Sequence, residues 1–314
     1  MTQKKTSVVT GGAGFIGSHL CEALLAHGHQ VFCLDNLLTG AEENLIHAKK
    51  NPNFTFIRID VTEKLPILGK IDYIFHLASP ASPRDYQNYA EETALVNSVG
   101  TRNLLRLAKS YGARFLFAST SEVYGEPLEH PQRETYWGNV NPNGPRSCYD
   151  ESKRFGEMIT MVYVRKYGVD ARIARIFNTY GERMQPEDGR VVSNFVNQAL
   201  NGKPLTIYGD GSQTRSFCYV SDLVAGLLRL MFTDDLAGEV VNLGNPEEYP
   251  VLELAGKIKQ LAASNSKIIY KPLPPDDPSR RRPDITKAKK LLGWEPKISL
   301  EKGLKKTIQF YKNQ

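Results

Sequence analysis

A strand, a glycine-rich turn and a helix follow one another at the start of the chain, and this motif restricts the fold more than anything after it. Ser7–Thr10 (SVVT) is a β-rich run, and Phe15–His27 carries a helical pattern. Between and into them, Gly11-Gly12-Ala13-Gly14-Phe15-Ile16-Gly17 spaces its glycines G-x-x-G-x-x-G. Glycine lets the backbone turn sharply and approach a pyrophosphate, and a helix N-terminus offers free N–H groups and a positive dipole end to the phosphates. A glycine triplet alone is equally a tight turn. Strand before and helix after favour a dinucleotide loop, with Gly11, Gly14, Phe15, Ile16 and Gly17 as candidate contacts.

The rest of the first half keeps that rhythm. Gln30–Asp35, Thr55–Asp60, Asp72–Leu77, Arg114–Ser119 and Ala171–Phe177 are expected strands. Ala90–Tyr111 and Asp150–Tyr167 are helix-length segments among them. Such alternation predicts an α/β fold, a Rossmann-type doubly wound parallel sheet with helices on both faces. After about Asn178 shorter strands (Leu205–Tyr208, Val240–Leu243) alternate with helical patterns at Val191–Asn201, Ser221–Phe232 and Val251–Ala263. The Pro- and Arg-rich stretch KPLPPDDPSRRRPD follows, then helical segments near Ile285–Leu292 and Leu300–Tyr311. The 314 residues suit one large domain or two moderate ones. The expected division is a dinucleotide lobe over 1–177 and a smaller C-terminal α/β substrate lobe over 178–314, partly interleaved.

Composition removes other classes. Hydrophobic residues are 41% and charged residues 24%, ordinary for a globular chain. No apolar run reaches the ~20 residues of a membrane span, and the start has no signal-peptide core. A cytoplasmic chain with no membrane partner is expected. The four cysteines form no CxxC pair and the histidines no HxxxH, so no metal site is expected. Net charge is +6, but most cations alternate with acids and no basic stripe is interleaved with aromatics, which argues against nucleic acid. A modest cationic excess suits a nucleotide diphosphate.

Three further motifs carry chemistry. Asp35 ends the second strand, 18 residues after Gly17, where a carboxylate accepts from ribose hydroxyls. It would repel a 2′-phosphate, and Asn36-Leu37-Leu38 supplies no arginine, so NAD is preferred over NADP. Asp60-Val61, at another strand end, is a weaker candidate for the adenine. Tyr149-Asp150-Glu151-Ser152-Lys153 is a Y-x-x-x-K pattern on an expected helix, where residues four apart share a face. A lysine ammonium beside a phenol stabilises phenolate and lowers its pKa, so that Tyr149 can take a proton from a sugar hydroxyl. Ser119-Thr120-Ser121-Glu122-Val123-Tyr124-Gly125 follows an expected strand, at the edge where doubly wound folds bind ligands. Each motif has a bland alternative: a solvated Asp, a structural helix pair, a hydroxyl-rich turn.

Taken together, TGGAGFIG, Asp35-Asn36, HLAS (76–79), STSEVYG and YDESK resemble the extended short-chain dehydrogenase/reductase family, over nearly the whole chain. Within it, HLASPASPRDY, WGNVNPNGPRSCYDESKR, ARIFNTYGERM, DGRVVSNFV and YGDGSQTRSFCYVSDLV resemble the branch that decarboxylates UDP-glucuronate. Ser152 departs from the glycine expected there. The resemblance implies NAD-dependent conversion of UDP-glucuronate to UDP-xylose and CO2. Oxidation at C4 makes a β-keto acid, CO2 leaves, C5 is protonated, and C4 is reduced again with NAD regenerated in place.

The same resemblance implies residue roles. Tyr149 is the base for the C4 hydroxyl, Lys153 lowers its pKa and holds the nicotinamide ribose, and Thr120 bonds the C4 oxygen. Ser121 and Glu122 face the departing carboxylate; whether Glu122 positions a water or destabilises that carboxylate stays open. Arg281 is its bidentate partner, with Arg280 and Arg282 as alternatives. Asn36, Thr39, Gly40, Leu77, Ser79, Asn97 and Ser119 complete the cofactor contacts. Tyr86 touches the sugar, and Asn178, Arg190, Val192, Asn194, Tyr208, Gln213 and Arg215 hold UDP, with Arg215 on the diphosphate. Ser121-Glu122 separates the chain from 4,6-dehydratases, which usually carry Asp-Glu there, and from 4-epimerases, which usually lack the glutamate. A 4-epimerase, a dehydratase and a catalytically silent nucleotide-sugar sensor remain alternatives. The resemblance also implies a homodimer paired through Ala90–Tyr111 and Asp150–Tyr167.

Overall fold

The computed structural model describes residues 4–274 and 278–313, so 275–277 of the Pro- and Arg-rich stretch lie outside the described residues. Six strands of the first half form on or near their expected positions: β1 (Thr6–Thr10), β2 (Gln30–Asp35), β3 (Phe54–Arg58), β4 (Tyr73–His76), β5 (Arg114–Thr120) and β6 (Ala171–Ile176). With Val240–Leu243 they build a seven-stranded sheet whose order from one edge is Val240–Leu243, β6, β5, β4, β1, β2, β3. Every pairing is parallel. The order reverses between β1 and β4, and that switch point opens a crevice at the carboxyl ends of the strands. Val240–Leu243 comes from the second half of the chain yet joins the same sheet.

Helices cover both faces because the strands are buried on both sides, as their apolar runs require. One core joins β1 and β2 to α1 (Phe15–Ala26) and the helix Val220–Phe232. The other joins β4 and β5 to the helices Thr101–Tyr111 and Ser147–Tyr167. The segment expected as one helix over Ala90–Tyr111 is helical throughout but contains a π-helical turn at Val96–Gly100. The helix expected from Asp150 starts at Ser147, which puts Tyr149 in its first turn. After β6 the chain forms small sheets and the helices Val191–Leu200, Val251–Leu261, Thr286–Leu292 and Leu300–Lys312. Thr214–Ser216 pairs with Glu248–Pro250 and Arg280–Arg281, and Leu205–Tyr208 pairs with Ile268–Lys271. These hang over the crevice at the ends of β5 and β6. Among the described residues no helix is long and apolar enough to cross a membrane.

Candidate active site

The glycine turn is built for close approach. Gly11 adopts φ +70°, and a Cβ there would sit 2.7 Å from the Ala78 nitrogen. A Cβ on Gly17 would lie 2.1 Å from the Gly11 carbonyl oxygen, so only glycine lets α1 start this near the turn. Gly14 caps α1 without any side-chain hydrogen bond, and no acid occupies the first turn. Those N–H groups and the dipole end are therefore open to an anion. Asp35, 7% exposed, accepts from the Ala13 and Leu37 nitrogens, at 2.9 and 2.8 Å. Burial raises its pKa and no cation offsets it, so a 2′-phosphate has no partner here. Turn, uncapped helix end and buried acid fit a dinucleotide without that phosphate.

One cleft of about 1020 Å³ runs from this turn to the second lobe. Its wall contains every site residue expected from the sequence except Asn97. Gly11, Gly14, Phe15, Ile16, Gly17, Asp35, Asn36, Thr39, Gly40, Asp60 and Val61 line one end. Leu77, Ser79, Ser119, Thr120, Ser121, Glu122, Tyr149 and Lys153 line the middle. Asn178, Val192, Asn194, Tyr208, Gln213 and Arg215 line the wall from the second lobe. Asn97 is fully buried one layer behind that wall. The π-helical turn aims its amide at the Ser79 and Ser152 hydroxyls, 3.0 and 3.1 Å away, so it orients Ser79 from behind.

Tyr149 and Lys153 share a buried layer above β5. Lys153 donates to the Ala118 carbonyl at 2.8 Å, and its Nζ lies 5.7 Å from the Tyr149 ring centre. Burial dominates the titration of both groups. Burial pushes the Tyr149 pKa above its ordinary value, against a hydrogen bond from the Thr120 side chain. Burial likewise lowers Lys153 to about 7, opposed by Glu157. Desolvation outweighs the pairing because both groups are enclosed and the ammonium is spent on a carbonyl. Thr120 also accepts from the Glu122 nitrogen at 3.2 Å, capping the short turn Ser121–Tyr124. His76, behind this layer, bonds Thr10 at 2.8 Å and Thr101 at 3.1 Å. Burial and then Lys153 lower it to about 3, so it stays neutral.

Glu122 sits between two guanidinium groups. Its Oε2 accepts from Arg146 at 2.5 Å and Arg281 at 3.2 Å. Burial raises its pKa, but Arg281, Arg146 and Arg215 outweigh that and hold it at about 2. The short strand Arg280–Arg281 turns its two arginines to opposite sides. Arg280 points to solvent, while Arg281 is 1% exposed, reaches the cleft and also donates to the Gly125 carbonyl at 2.9 Å.

Tyr86 lies on the cleft wall with its ring stacked on Tyr149, 4.9 Å apart and 7° from parallel. Its hydroxyl is buried without a hydrogen-bond partner. Arg190 is held by Asp188 at 2.7 Å and lies 6.0 Å over the Phe15 ring, next to the cofactor loop.

Sequence reasoning missed Arg146 and Asp150. Their i, i+4 spacing around Tyr149 was visible, but a charge pair at a helix start is ordinarily a solvated cap. Only the fold buries both against Glu122.

The model of the NAD dependent epimerase/dehydratase family matches residues 7–244, three quarters of the chain. The chain belongs to this family. It is 58% identical to UDP-glucuronic acid decarboxylase 4 of Arabidopsis thaliana over 98% of its own length and 68% of that protein's. It is 55% identical to UDP-glucuronic acid decarboxylase 1 of Danio rerio, over 99% and 73%. Among solved structures, UDP-glucuronic acid 4-epimerase from Bacillus cereus, in complex with UDP-glucuronic acid and NAD, superposes with a TM-score of 0.87. That pair is 31% identical and covers 98% of this chain and 99% of the other.

Proposed function

We propose that this chain is an NAD-dependent UDP-glucuronate decarboxylase, yielding UDP-xylose and CO2 with the cofactor regenerated in place. The observation that carries the proposal is the Ser121-Glu122 turn clamped by Arg146 and Arg281 beside Tyr149 and Thr120. The identity to named decarboxylases supports it; the fold alone does not, since an epimerase shares it.

The residues at the α1 turn hold NAD, which supplies a reversible hydride acceptor for sugar C4. Tyr149 takes the C4 hydroxyl proton at its phenol oxygen. Thr120 orients that oxygen and shares the load when the C4 carbonyl draws the electron pair of the breaking C5–carboxyl bond. Lys153, in its charged form, favours the Tyr149 phenolate. Arg281 attracts the sugar carboxylate. Glu122, held at about 2, stays ionised at working pH and is no proton donor itself. It orders, with Ser121, the water that protonates C5. Asn178, Asn194, Gln213 and Arg215 hold the UDP portion, and the substrate lobe corresponds to 178–314.

We also propose a homodimer. Leu95, Phe155 and Met158 are 41%, 42% and 48% exposed on the two helices that would pair, and size-exclusion chromatography at micromolar concentration should report two copies. Four free cysteines suit a reducing, cytoplasmic setting.

The deciding experiment incubates the protein with UDP-glucuronate and NAD and identifies the nucleotide sugar by NMR. UDP-xylose is expected; UDP-galacturonate makes it an epimerase, and retained NAD with no turnover makes it a sensor.

A further inference from the structure

Behind the layer of Tyr149 and Lys153 stands a fixed carboxylate, Glu157. The helix Ser147–Tyr167 presents Tyr149, Lys153 and Glu157 at intervals of four residues, so the three share one face. That face packs on β5 so closely that a Cβ on Gly156 would sit 2.3 Å from the Phe117 ring. Lys153 and Glu157 then dock on consecutive β5 residues. Lys153 donates to the Ala118 carbonyl at 2.8 Å, and the Glu157 Oε1 accepts from the Ser119 hydroxyl at 2.6 Å. β6 supplies the other partners: Arg175 donates from Nε to Oε1 at 2.9 Å and from Nη2 to Oε2 at 2.7 Å. Arg175 is itself held, since its Nη1 donates to the Tyr124 hydroxyl at 3.0 Å and the Glu134 carbonyl at 3.2 Å. Glu157 does not line the cleft, and three hydrogen bonds hold its carboxylate in one place.

Lys153 needs such a neighbour. Only its charged form favours a phenolate on Tyr149, yet the ammonium is buried and its hydrogen bond goes to a neutral carbonyl. Burial lowers Lys153 to about 7, and Glu157 is the group that opposes this. The other groups facing Lys153 supply no negative charge. From its own helix comes the Tyr149 phenol, neutral because burial raises its pKa. β5 contributes the Phe117 ring, with its centre 5.0 Å from Nζ. β4 contributes His76, which burial and then Lys153 lower to about 3, so it too is neutral. From β6 comes Arg175, paired with Glu157. We propose that Glu157 is a positioning residue of this site, a carboxylate fixed one helical turn behind Lys153 that stabilises the ammonium on which the Tyr149 phenolate depends. It touches neither substrate nor cofactor and acts through Lys153. The inference rests on the proposed role of Tyr149 as the base.

Glu157→Gln keeps the shape of the side chain and removes its charge. In full-length protein labelled with carbon-13 at the lysine Cε, the Lys153 signal is the one lost in Lys153→Met. It should titrate at about 7 in the unmodified chain. In Glu157→Gln it should titrate about one pH unit lower, the low end of what one nearby opposite charge does, so the charged fraction at pH 7 drops from about half to about a tenth. Turnover of UDP-glucuronate at pH 7 should fall roughly five-fold with KM changed less than about two-fold. The deficit should shrink to less than about two-fold at pH 6, where Lys153 regains its charge. A merely structural Glu157 would lower the melting temperature and leave the Lys153 titration in place, and that result overturns the proposal. So does a turnover deficit of equal size at both pH values. Should Glu157→Gln fail to fold around the orphaned Arg175, Glu157→Gln combined with Arg175→Met removes both charges together. The Lys153 signal should again titrate lower, and an unchanged titration refutes the idea. Absence of UDP-glucuronate turnover by the unmodified protein counts against the proposed activity, whereas the Lys153 titration is read without substrate.

Discussion

Lys153 is costly to fold around, and replacing it should make the protein more stable while removing its activity. The ammonium is 3% exposed and burial lowers its pKa from 10.5 to about 7. A depression of that size, at 1.36 kcal/mol per unit, corresponds to about 5 kcal/mol of stability forgone when the group is charged in both states. The folded pKa lies below the unfolded one, so the penalty is complete below pH 7 and fades as pH rises toward 10.5. Lys153→Met keeps the unbranched stem up to Cε and removes the ammonium. It also gives up the 2.8 Å bond to the Ala118 carbonyl, which costs about 1–3 kcal/mol once that oxygen is orphaned. The net expectation is a variant roughly 2–4 kcal/mol more stable at pH 6 and roughly 1–2 kcal/mol less stable at pH 10. Calorimetric melts of both proteins without NAD, at those two pH values, measure the crossing. Equal destabilisation at both would refute the claim that desolvation of Lys153 dominates its environment. Turnover of UDP-glucuronate should be lost in the variant at every pH.

Other substitutions probe other parts of the site. Tyr149→Phe should bind NAD and UDP-glucuronate normally and lose roughly 10²–10⁴ in kcat, the usual worth of a positioned base; near-normal activity removes Tyr149 from that role. Glu122→Gln removes the carboxylate that Arg281 binds in the buried cluster, so chemical denaturation should show a loss of about 3–5 kcal/mol along with lost turnover. Gly17→Ala pushes a Cβ onto the Gly11 carbonyl, and NAD affinity should drop roughly ten- to a hundred-fold by fluorescence titration while UDP still binds.

The sequence carried the dinucleotide half of the molecule well because its signals are local. A strand, a glycine turn and a helix are contiguous, and β1 to β6 form close to the runs that predict them. The seventh strand, Val240–Leu243, pairs with β6 across about 65 residues of chain, and no local pattern marks that partnership. The site divides the same way. Thr120, Glu122, Tyr149 and Lys153 stand in short motifs whose chemistry is visible from residue type. The environment of those groups is not, since it depends on what the fold excludes. Burial, not the neighbouring ammonium, sets the direction of the Tyr149 shift. Nothing in the run Arg280-Arg281-Arg282 marks which residue is buried; the short strand turns Arg281 inward and Arg280 outward. Arg146 and Asp150 became part of the site only when the helix began at Ser147 and carried them against Glu122.

The most direct test of the proposed chemistry uses UDP-glucuronate carrying deuterium at C4 and carbon-13 in the carboxylate, with NAD in catalytic amount. Oxidation and re-reduction at one carbon within one cleft predict UDP-xylose that keeps its C4 deuterium, with one labelled CO2 released per nucleotide sugar. Loss of the deuterium to solvent, or a product that retains the labelled carboxylate, would contradict it.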